Sequence, residues 1–438
     1  MRGLGLRKLG ADVMGTFARR TGGSLLQFVT VILVARLFGP EGSGAYSLVL
    51  LLPGMLSTFM NAGFAPANIY YLGSKRVDVR TSIRVALRLT AHISLIGVAI
   101  GALCLGFAAD RLFPGIDQTL LWIGLAIFPL SLLLSFLSSV LQGLQRFKEL
   151  NLVLLVRPGL TCILVAGMAL TGMRELTWVI VADLVGLIAA SVLILRRLRQ
   201  QLAGVPLREA ESDFRGKALH YGFRAYLSNI LAFVNYRADL FLVNLLIDPA
   251  AAGIYAVSAQ LARQVGVISQ TVSTVLLPHL SSLDSEEQRR KRLTPLISRW
   301  VALITLLGAV ALAIIAGPTL GIVFGSEFAA GFSVLLLLLP GAVTVAPGRI
   351  LANDLASRGR PELNTYVSAV VVVVNLTGNL LLIPRFGLEG AATSTSLAYI
   401  LNLILRLAVY SHFTGNRWAD SLFVKPEDIR ALLSLARR

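Results

Sequence analysis

Charge is scarce in this sequence. Asp, Glu, Lys and Arg make up 14% of it, where an average soluble domain carries about 25%, and a soluble single-domain enzyme is excluded. Cysteine is nearly absent. Cys104 and Cys162 both fall inside apolar runs, so the chain has neither a disulfide framework nor a cysteine metal cluster, and cysteine usage assigns no compartment. His92, His220, His279 and His412 are isolated, and neither G-x-x-x-x-G-K-[ST] nor H-E-x-x-H occurs, which removes the usual devices for nucleotide and zinc hydrolysis. A membrane glycosyltransferase would need acidic metal ligands at one membrane face, yet the connections there offer only scattered Asp110, Asp117, Asp248 and Glu327. No catalytic residue, metal site or cofactor is expected.

What fills the chain instead is apolar sequence, 55% of its residues. It is grouped in runs of about 20, the length a helix needs to cross a bilayer. Runs bounded by charge, Gly or Pro predict helices over 21–38, 43–72, 85–108, 119–142, 152–171, 177–195, 218–246, 251–281, 300–322, 332–355, 363–383 and 390–413. The expected fold class is an all-α polytopic membrane protein of about 12 spans. A basic N-terminus (1–20) precedes a first six-helix bundle (21–195). A cytoplasmic linker (196–217) mixes Arg196, Arg197 and Arg199 with Glu209, Glu211 and Asp213. A second six-helix bundle (218–413) and a basic tail (414–438) follow. No A-x-A cleavage signal follows the first run, so it is read as an uncleaved helix.

The net charge of +17 would suit nucleic acid if it were spread over a soluble surface. It is not spread that way. Of the 40 Lys and Arg, 29 fall in the two termini and alternate connections, while the opposite six connections hold Arg111, Arg174 and Arg385 only. Basic residues near span ends are retained in the cytoplasm, so both termini are expected there, in a cell inner membrane, and no nucleic-acid partner is needed. The outer connections are very short, among them Gly39-Pro40-Glu41-Gly42 and Asp248-Pro249-Ala250, which places function among the helices. The halves also echo each other. Pro40-x-x-x-Gly44-x-Tyr46 recurs as Pro249-x-x-x-Gly253-x-Tyr255, at equivalent turns. Six helices per half relate such repeats by an axis along the membrane normal.

Eight bases remain inside spans, and all eight are arginine. Arg88, Arg157 and Arg406 lie close enough to cytoplasmic ends for their stems to reach headgroups, and Arg36 is similarly placed near the outer end of its helix. The helix over 218–246 is different. At 100° per residue Arg224, Ser228, Asn235 and Asp239 share one face, while Arg237 and Asn244 lie opposite. Arg237 and Asp239, two residues apart, do not face each other, so each needs another neighbour. Arg263 aligns with Gln270 and Thr274 about 18 Å from a membrane face, too deep to snorkel easily. Asn61 aligns with Ser57 and Asn68, on a helix whose ladder Pro53 and Pro66 interrupt. A charge in hydrocarbon costs about 2.5–3.5 kcal/mol on insertion scales. Ser, Thr and Asn can be explained as bonds to neighbouring helices, but Arg237 and Arg263 together point to a hydrated cationic cavity. Pro340 and Pro347, with flanking glycines, allow either a broken helix or a static kink.

The run Ile32-Leu33-Val34-Ala35-Arg36-Leu37-Phe38-Gly39-Pro40-Glu41-Gly42-Ser43-Gly44-Ala45-Tyr46 resembles the opening of bacterial polysaccharide and oligosaccharide-lipid flippases, within the multidrug, oligosaccharidyl-lipid and polysaccharide exporter superfamily. Leu141-Gln142-Gly143-Leu144-Gln145-Arg146-Phe147, Tyr236-Arg237-Ala238-Asp239 and Leu277-Pro278-His279-Leu280-Ser281 agree, and the likeness covers nearly the whole chain. The resemblance implies a two-lobed, V-shaped exporter that alternates its opening. It would move an isoprenoid-diphosphate-linked oligosaccharide from the cytoplasmic to the outer leaflet for cell-surface polysaccharide assembly. Arg237, Arg263 and Arg224 are then the first candidates for diphosphate contact, followed by Arg36 and Arg349, with Gln270 and Asn61 as polar lining. Asp239 with Asn235 is the candidate for coupling to a proton or sodium ion. Further partners implied are the bilayer, a glycan polymerase and glycosyltransferases. The competing readings are a multidrug exporter of the same superfamily, which a basic lining disfavours, and a nontransporting scaffold of a glycan-assembly complex, which has no need of deep charge.

Overall fold

The computed structural model describes residues 2–202, 214–267, 269–270, 272, 287–358 and 360–428, with side chains from Gly22 onward apart from 201–202, 215, 217, 219–225, 228, 289 and 361. Regular structure among the described residues is helical throughout: α1 (Arg2–Met60), α2 (Phe64–Gly73), α3 (Val79–Leu112), α4 (Gln118–Gly143), α5 (Phe147–Thr171), α6 (Leu176–Leu202), α7 (Phe214–Leu246), α8 (Pro249–Gln264), α9 (Glu287–Thr319), α10 (Gly331–Ser357) and α11 (Pro361–Thr414). They form two compact units. Unit 1 comprises Met1–Phe233 with Asp248–Gly253, and unit 2 comprises Val234–Ile247 with Ile254–Arg438.

Eight described helices are long and apolar enough to cross a membrane, as befits a multi-pass membrane protein. Two of them are too long for one crossing. At 1.5 Å per residue α1 and α11 would extend about 88 and 81 Å, against a hydrocarbon layer of about 30 Å. Each contains one residue that is not helical, Gly39 (φ 63°, ψ −165°) in α1 and Gly387 (φ 58°, ψ −135°) in α11, a backbone region open chiefly to glycine. In α11 the reversal is visible in its bonds. Ser394 Oγ donates to the Asn375 carbonyl at 3.1 Å, and Arg406 Nη1 reaches Asn364 Oδ1 at 2.7 Å, 42 residues away. The limbs 361–386 and 388–414 therefore run antiparallel and correspond to the spans expected over 363–383 and 390–413.

One expectation needs correction, one open alternative narrows, and one span is described only in part. The helix predicted over 43–72 is interrupted at neither proline. Pro53 lies within α1 and Pro66 in the first turn of α2, where a missing N–H costs nothing. The break falls at Asn61–Gly63, with Ala62 at φ 51° and Gly63 at φ 71°. The helix carrying Pro340 and Pro347 is continuous from Gly331 to Ser357. Beside Pro340, the Gly341 N–H donates to Ser396 Oγ at 2.7 Å, so α11 supplies an acceptor to the backbone next to the proline. The span predicted over 251–281 is helical as α8, Pro249–Gln264; residues 273–281 lie outside the described residues.

Unit 1 is built around α4, which is apolar over most of its surface and largely buried: Ile127, Phe128, Leu132, Phe136, Leu137 and Val140 are all inaccessible. The repeated turn motif has a structural purpose there. A Cβ on Gly44 would fall on the carbonyl oxygen of Pro249, and a Cβ on Gly253 would fall on that of Pro40, so the two copies of the motif cross backbone to backbone with each glycine seated against the other copy's proline.

Buried ion pairs then pin helices. Arg157 does not snorkel. Its Nε and Nη2 fork onto Asp183 of α6 at 3.0 and 2.6 Å, the bidentate geometry that favours arginine over lysine. In unit 2, Arg290 is 1% exposed and bonds Asp354 at 3.0 Å. Arg358 holds the other oxygen of Asp354 at 2.6 Å and reaches Glu287 at 2.7 Å, tying α9 to α10. Arg406, also assigned to headgroups from its sequence position, is instead held by Asn402 at 2.8 Å and Asn364 at 2.7 Å.

Outside the spans, Asp78 caps α3 by accepting the Thr81 N–H at 2.8 Å. Partial burial alone would raise its pKa, but the hydrogen bonds from Thr81 and its neighbours outweigh that and hold it below the ordinary value. Asp78→Ala is expected to lower stability by about 1 kcal/mol. A depressed folded pKa contributes stability above the unfolded value and loses it as pH falls through the folded one. The difference between the two proteins in thermal melts should therefore shrink on acidification below the ordinary Asp range.

Candidate functional site

The polar residues that unit 2 concentrates come from α7, α8, α10 and α11. Arg237 and Asp239, about 200° apart around α7, part as their spacing requires: Asp239 is buried at 5% exposure while Arg237 is exposed. The neighbour that Asp239 needs is Tyr255, the tyrosine of the second turn motif, whose hydroxyl donates to Oδ2 at 2.6 Å. The Leu240 N–H donates to Oδ1 at 2.8 Å, and Thr395 Oγ1 stands 3.4 Å from Oδ2 and 3.2 Å from the Tyr255 hydroxyl. A carboxylate ringed by donors in this way is fixed in place.

The cations around it are not matched by acids. Arg237 and Arg263 lie within electrostatic reach of each other and of Asp239. Arg263, exposed, donates to Gln260 Oε1 at 2.9 Å, and Arg237 makes no hydrogen bond among the described residues. Arg349 Nη1 reaches Ser269 Oγ at 3.3 Å and lies near Arg406, whose own partners are the two asparagine oxygens. Tyr399, packed edge-on against Tyr236 with ring centroids 6.0 Å apart, is within the field of Arg263, Arg349 and Asp239. Among the described residues Arg237 and Arg263 are the guanidinium groups within reach of Asp239, Arg349 and Arg406 lie near each other, and the hydrogen bonds that these arginines make go to neutral oxygens. Arg157, Arg290 and Arg358 show the opposite pattern, each paired to an acid. Guanidinium stays charged when desolvated and presents a fork of donors suited to phosphate oxygens, so the chemistry of these side chains suits an anion. No group of His, Cys, Asp and Glu suited to a metal ion occurs among the described residues.

Of the residues expected to form the site, the structure brings together Arg237, Arg263, Arg349 and Asp239. Gln270 is exposed seven positions beyond Arg263. Asn235 accepts from Asn375 Nδ2 at 3.4 Å, in an amide chain that continues to Asn379 at 2.8 Å. Arg36 and Asn61 belong to unit 1. Arg36 is exposed beside the Gly39 turn, and Asn61, at the α1–α2 break, has a buried Oδ1 with no donor among the described residues. The Arg224 side chain lies outside the described residues. Tyr255, Thr395, Tyr399 and Arg406 were not foreseen as parts of the site. Two of them carry a signal in the sequence, Tyr255 in its place in the repeat and Arg406 as an arginine inside a span.

The comparisons with known proteins agree with this geometry. The family model described as "Polysaccharide biosynthesis protein" matches residues 33–332. The probable low-salt glycan biosynthesis flippase Agl15 of Haloferax volcanii is 23% identical over 406 residues, 91% of this chain and 83% of that one. Among solved structures, the lipid II flippase MurJ in an inward closed conformation superposes with a TM-score of 0.72 at 14% identity, over 90% of this chain and 87% of the other. An inward-facing multidrug resistance MATE family transporter of the MOP superfamily gives 0.70 at 14%, over 90% and 94%. These two structures share the fold of this chain.

Proposed function

The chain belongs to the polysaccharide biosynthesis protein family, within the superfamily of polysaccharide-lipid flippases and exporters, and from that premise we propose that it is a flippase, carrying an isoprenoid-diphosphate-linked oligosaccharide from the cytoplasmic to the outer leaflet of the inner membrane by alternating access. The observation that carries the reading is the set of unit 2 arginines, Arg237, Arg263, Arg349 and Arg406, none of them bonded to an acid among the described residues. A diphosphate diester with two negative charges faces an idealised cost of order 20 kcal/mol per ion on entering hydrocarbon; guanidinium groups that keep their charge and donors in the spans reduce that barrier. Export is also electrically downhill. Each charge moved through 100 mV is worth about 2.3 kcal/mol, and two negative charges leaving a negative interior gain about twice that.

The same proposal includes twelve spans in two six-helix bundles forming a V, with the division at 196–217 and both termini cytoplasmic. The Gly39 and Gly387 turns supply two of the short connections this requires, and the distribution of Lys and Arg supplies the orientation. Arg237, Arg263 and Arg349 contact the diphosphate, Arg224 joins them from α7, and Arg36, Asn61 and Gln270 line the path. Coupling to a proton or sodium ion is assigned to Asp239, the one carboxylate of the cluster, with Asn235 one turn away. A glycan polymerase and glycosyltransferases are the partners such a substrate implies. Export of cationic drugs is disfavoured because these guanidiniums repel cations, and a nontransporting scaffold would leave the unpaired arginines without a use.

The test is reconstitution with fluorescent lipid-linked oligosaccharide and a leaflet-selective quencher. Vesicles containing the protein should lose protected fluorescence to the quencher, and protein-free vesicles should not. Equal protection in both would remove the transport reading.

A further inference from the structure

Unit 1 contains a recess formed by residues that take no part in the arginine cluster. It is an open recess of about 460 Å³, within the ~300–1,000 Å³ range of small-molecule sites. One wall is α4, where Ser131, Ser135, Ser138 and Gln142 recur at helical spacing and so share a face. The facing wall is apolar and includes Pro66. Arg157 borders the space, but its guanidinium is committed to Asp183 by two bonds.

One hydroxyl of the α4 wall is unspent. Ser138 is 6% exposed, and its Oγ is buried with no hydrogen-bond partner among the described residues. It is one of eight such serine hydroxyls among the described residues, and the one of them that borders this recess. The adjacent Ser139, by contrast, is fully used, receiving Asn68 Nδ2 at 2.8 Å and donating to the Phe136 carbonyl at 2.6 Å.

We infer that this recess binds a neutral sugar residue of the glycan, through the Ser131–Gln142 face of α4. The inference rests on the proposed flippase function for the source of the sugar, while the recess itself argues for its class. Serine hydroxyls both donate and accept, as sugar hydroxyls do. The one charged group present is already neutralised, which leaves nothing to hold a phosphate. The apolar wall suits the C–H face of a pyranose ring, and a glycan held here has a contact made by residues other than those that hold the diphosphate.

The test uses the full chain in lipid nanodiscs, a diazirine-bearing glucoside as probe, and mass spectrometry of the photo-adducts. Adducts are expected on peptides containing 65–69 and 131–142, suppressed by excess methyl glucoside and not by inorganic pyrophosphate. Ser135→Val should lower their yield about fivefold, the effect of one lost hydrogen bond, and Gln142→Leu provides a second variant with the same expected direction. Suppression by pyrophosphate, adducts confined to lipid or to other peptides, or unchanged yields in both variants would each overturn the assignment. Labelling does not require transport. A protein that flips nothing yet labels as described keeps this site and loses the transport reading, and one that flips but does not label does the reverse.

Discussion

Arg263→Ala should lower the rate of lipid-linked oligosaccharide flipping by about 100-fold while leaving a monodisperse, helical protein in the membrane. Truncating one partner of a desolvated, hydrogen-bonded charge contact costs about 2–5 kcal/mol, and the lower part of that range is two decades in rate. Folding should be spared, because Arg263 is exposed and among the described residues its side chain donates to Gln260 alone. Arg237→Ala is expected to behave alike. Arg263→Lys keeps the charge but loses the fork of donors, and a loss of about tenfold is expected. The double variant Arg237→Ala/Arg263→Ala should fall short of the product of the single effects, since residues that share one bound group are not independent. The quencher assay measures all four proteins. Unchanged flipping by Arg263→Ala would remove that residue from the substrate path.

The second large effect is on folding. Gly44→Ala should destabilise the protein by at least about 3 kcal/mol, the upper end of ordinary overpacking, and Gly44→Leu should give no folded protein. Most overpacked sites relax by a side-chain rotation. This one cannot, because the added Cβ meets the Pro249 backbone carbonyl and Cβ itself has no rotamer. Gly253→Ala, against the Pro40 carbonyl, should match it. Gly167→Ala is the internal control: nothing lies within 4 Å of a Cβ there, and alanine is the better helix former by about 1 kcal/mol. Yield of monodisperse protein and thermal midpoint distinguish the three. A Gly44→Ala protein that melts with the wild type would show that the two turns can separate without penalty.

The spans could be read from the sequence because hydrocarbon imposes a length and a polarity that few other environments share. The turn repeat is also legible, since Pro-x-x-x-Gly-x-Tyr is short, but only the fold shows its two copies crossing backbone to backbone. Breaks were less so. The prolines that mark helix ends in water sit inside α1, α4, α5, α10 and α11, where a neighbouring helix can supply partners to the backbone beside them, as Ser396 does for Gly341. Partners were the least legible. Whether a membrane arginine snorkels or pairs depends on the facing helix, and the acid that holds Arg157 lies 26 residues away on α6. The Asp239 site was half visible: the spacing of Arg237 and Asp239 denied them each other, but only the fold shows Tyr255 and Thr395 as what Asp239 has instead.

The turn at Gly387 has a consequence for what the molecule exposes. A chain that reverses within a single residue leaves no slack to protrude, and with Ser394 bonded to Asn375 just below it there is no ribbon of backbone there for a protease to thread or an immunoglobulin to enclose. A tag inserted at 387 would have to unzip the limbs before it could be seen, so mapping which side of the bilayer this corner occupies calls for a small chemical label on a single side chain rather than an epitope.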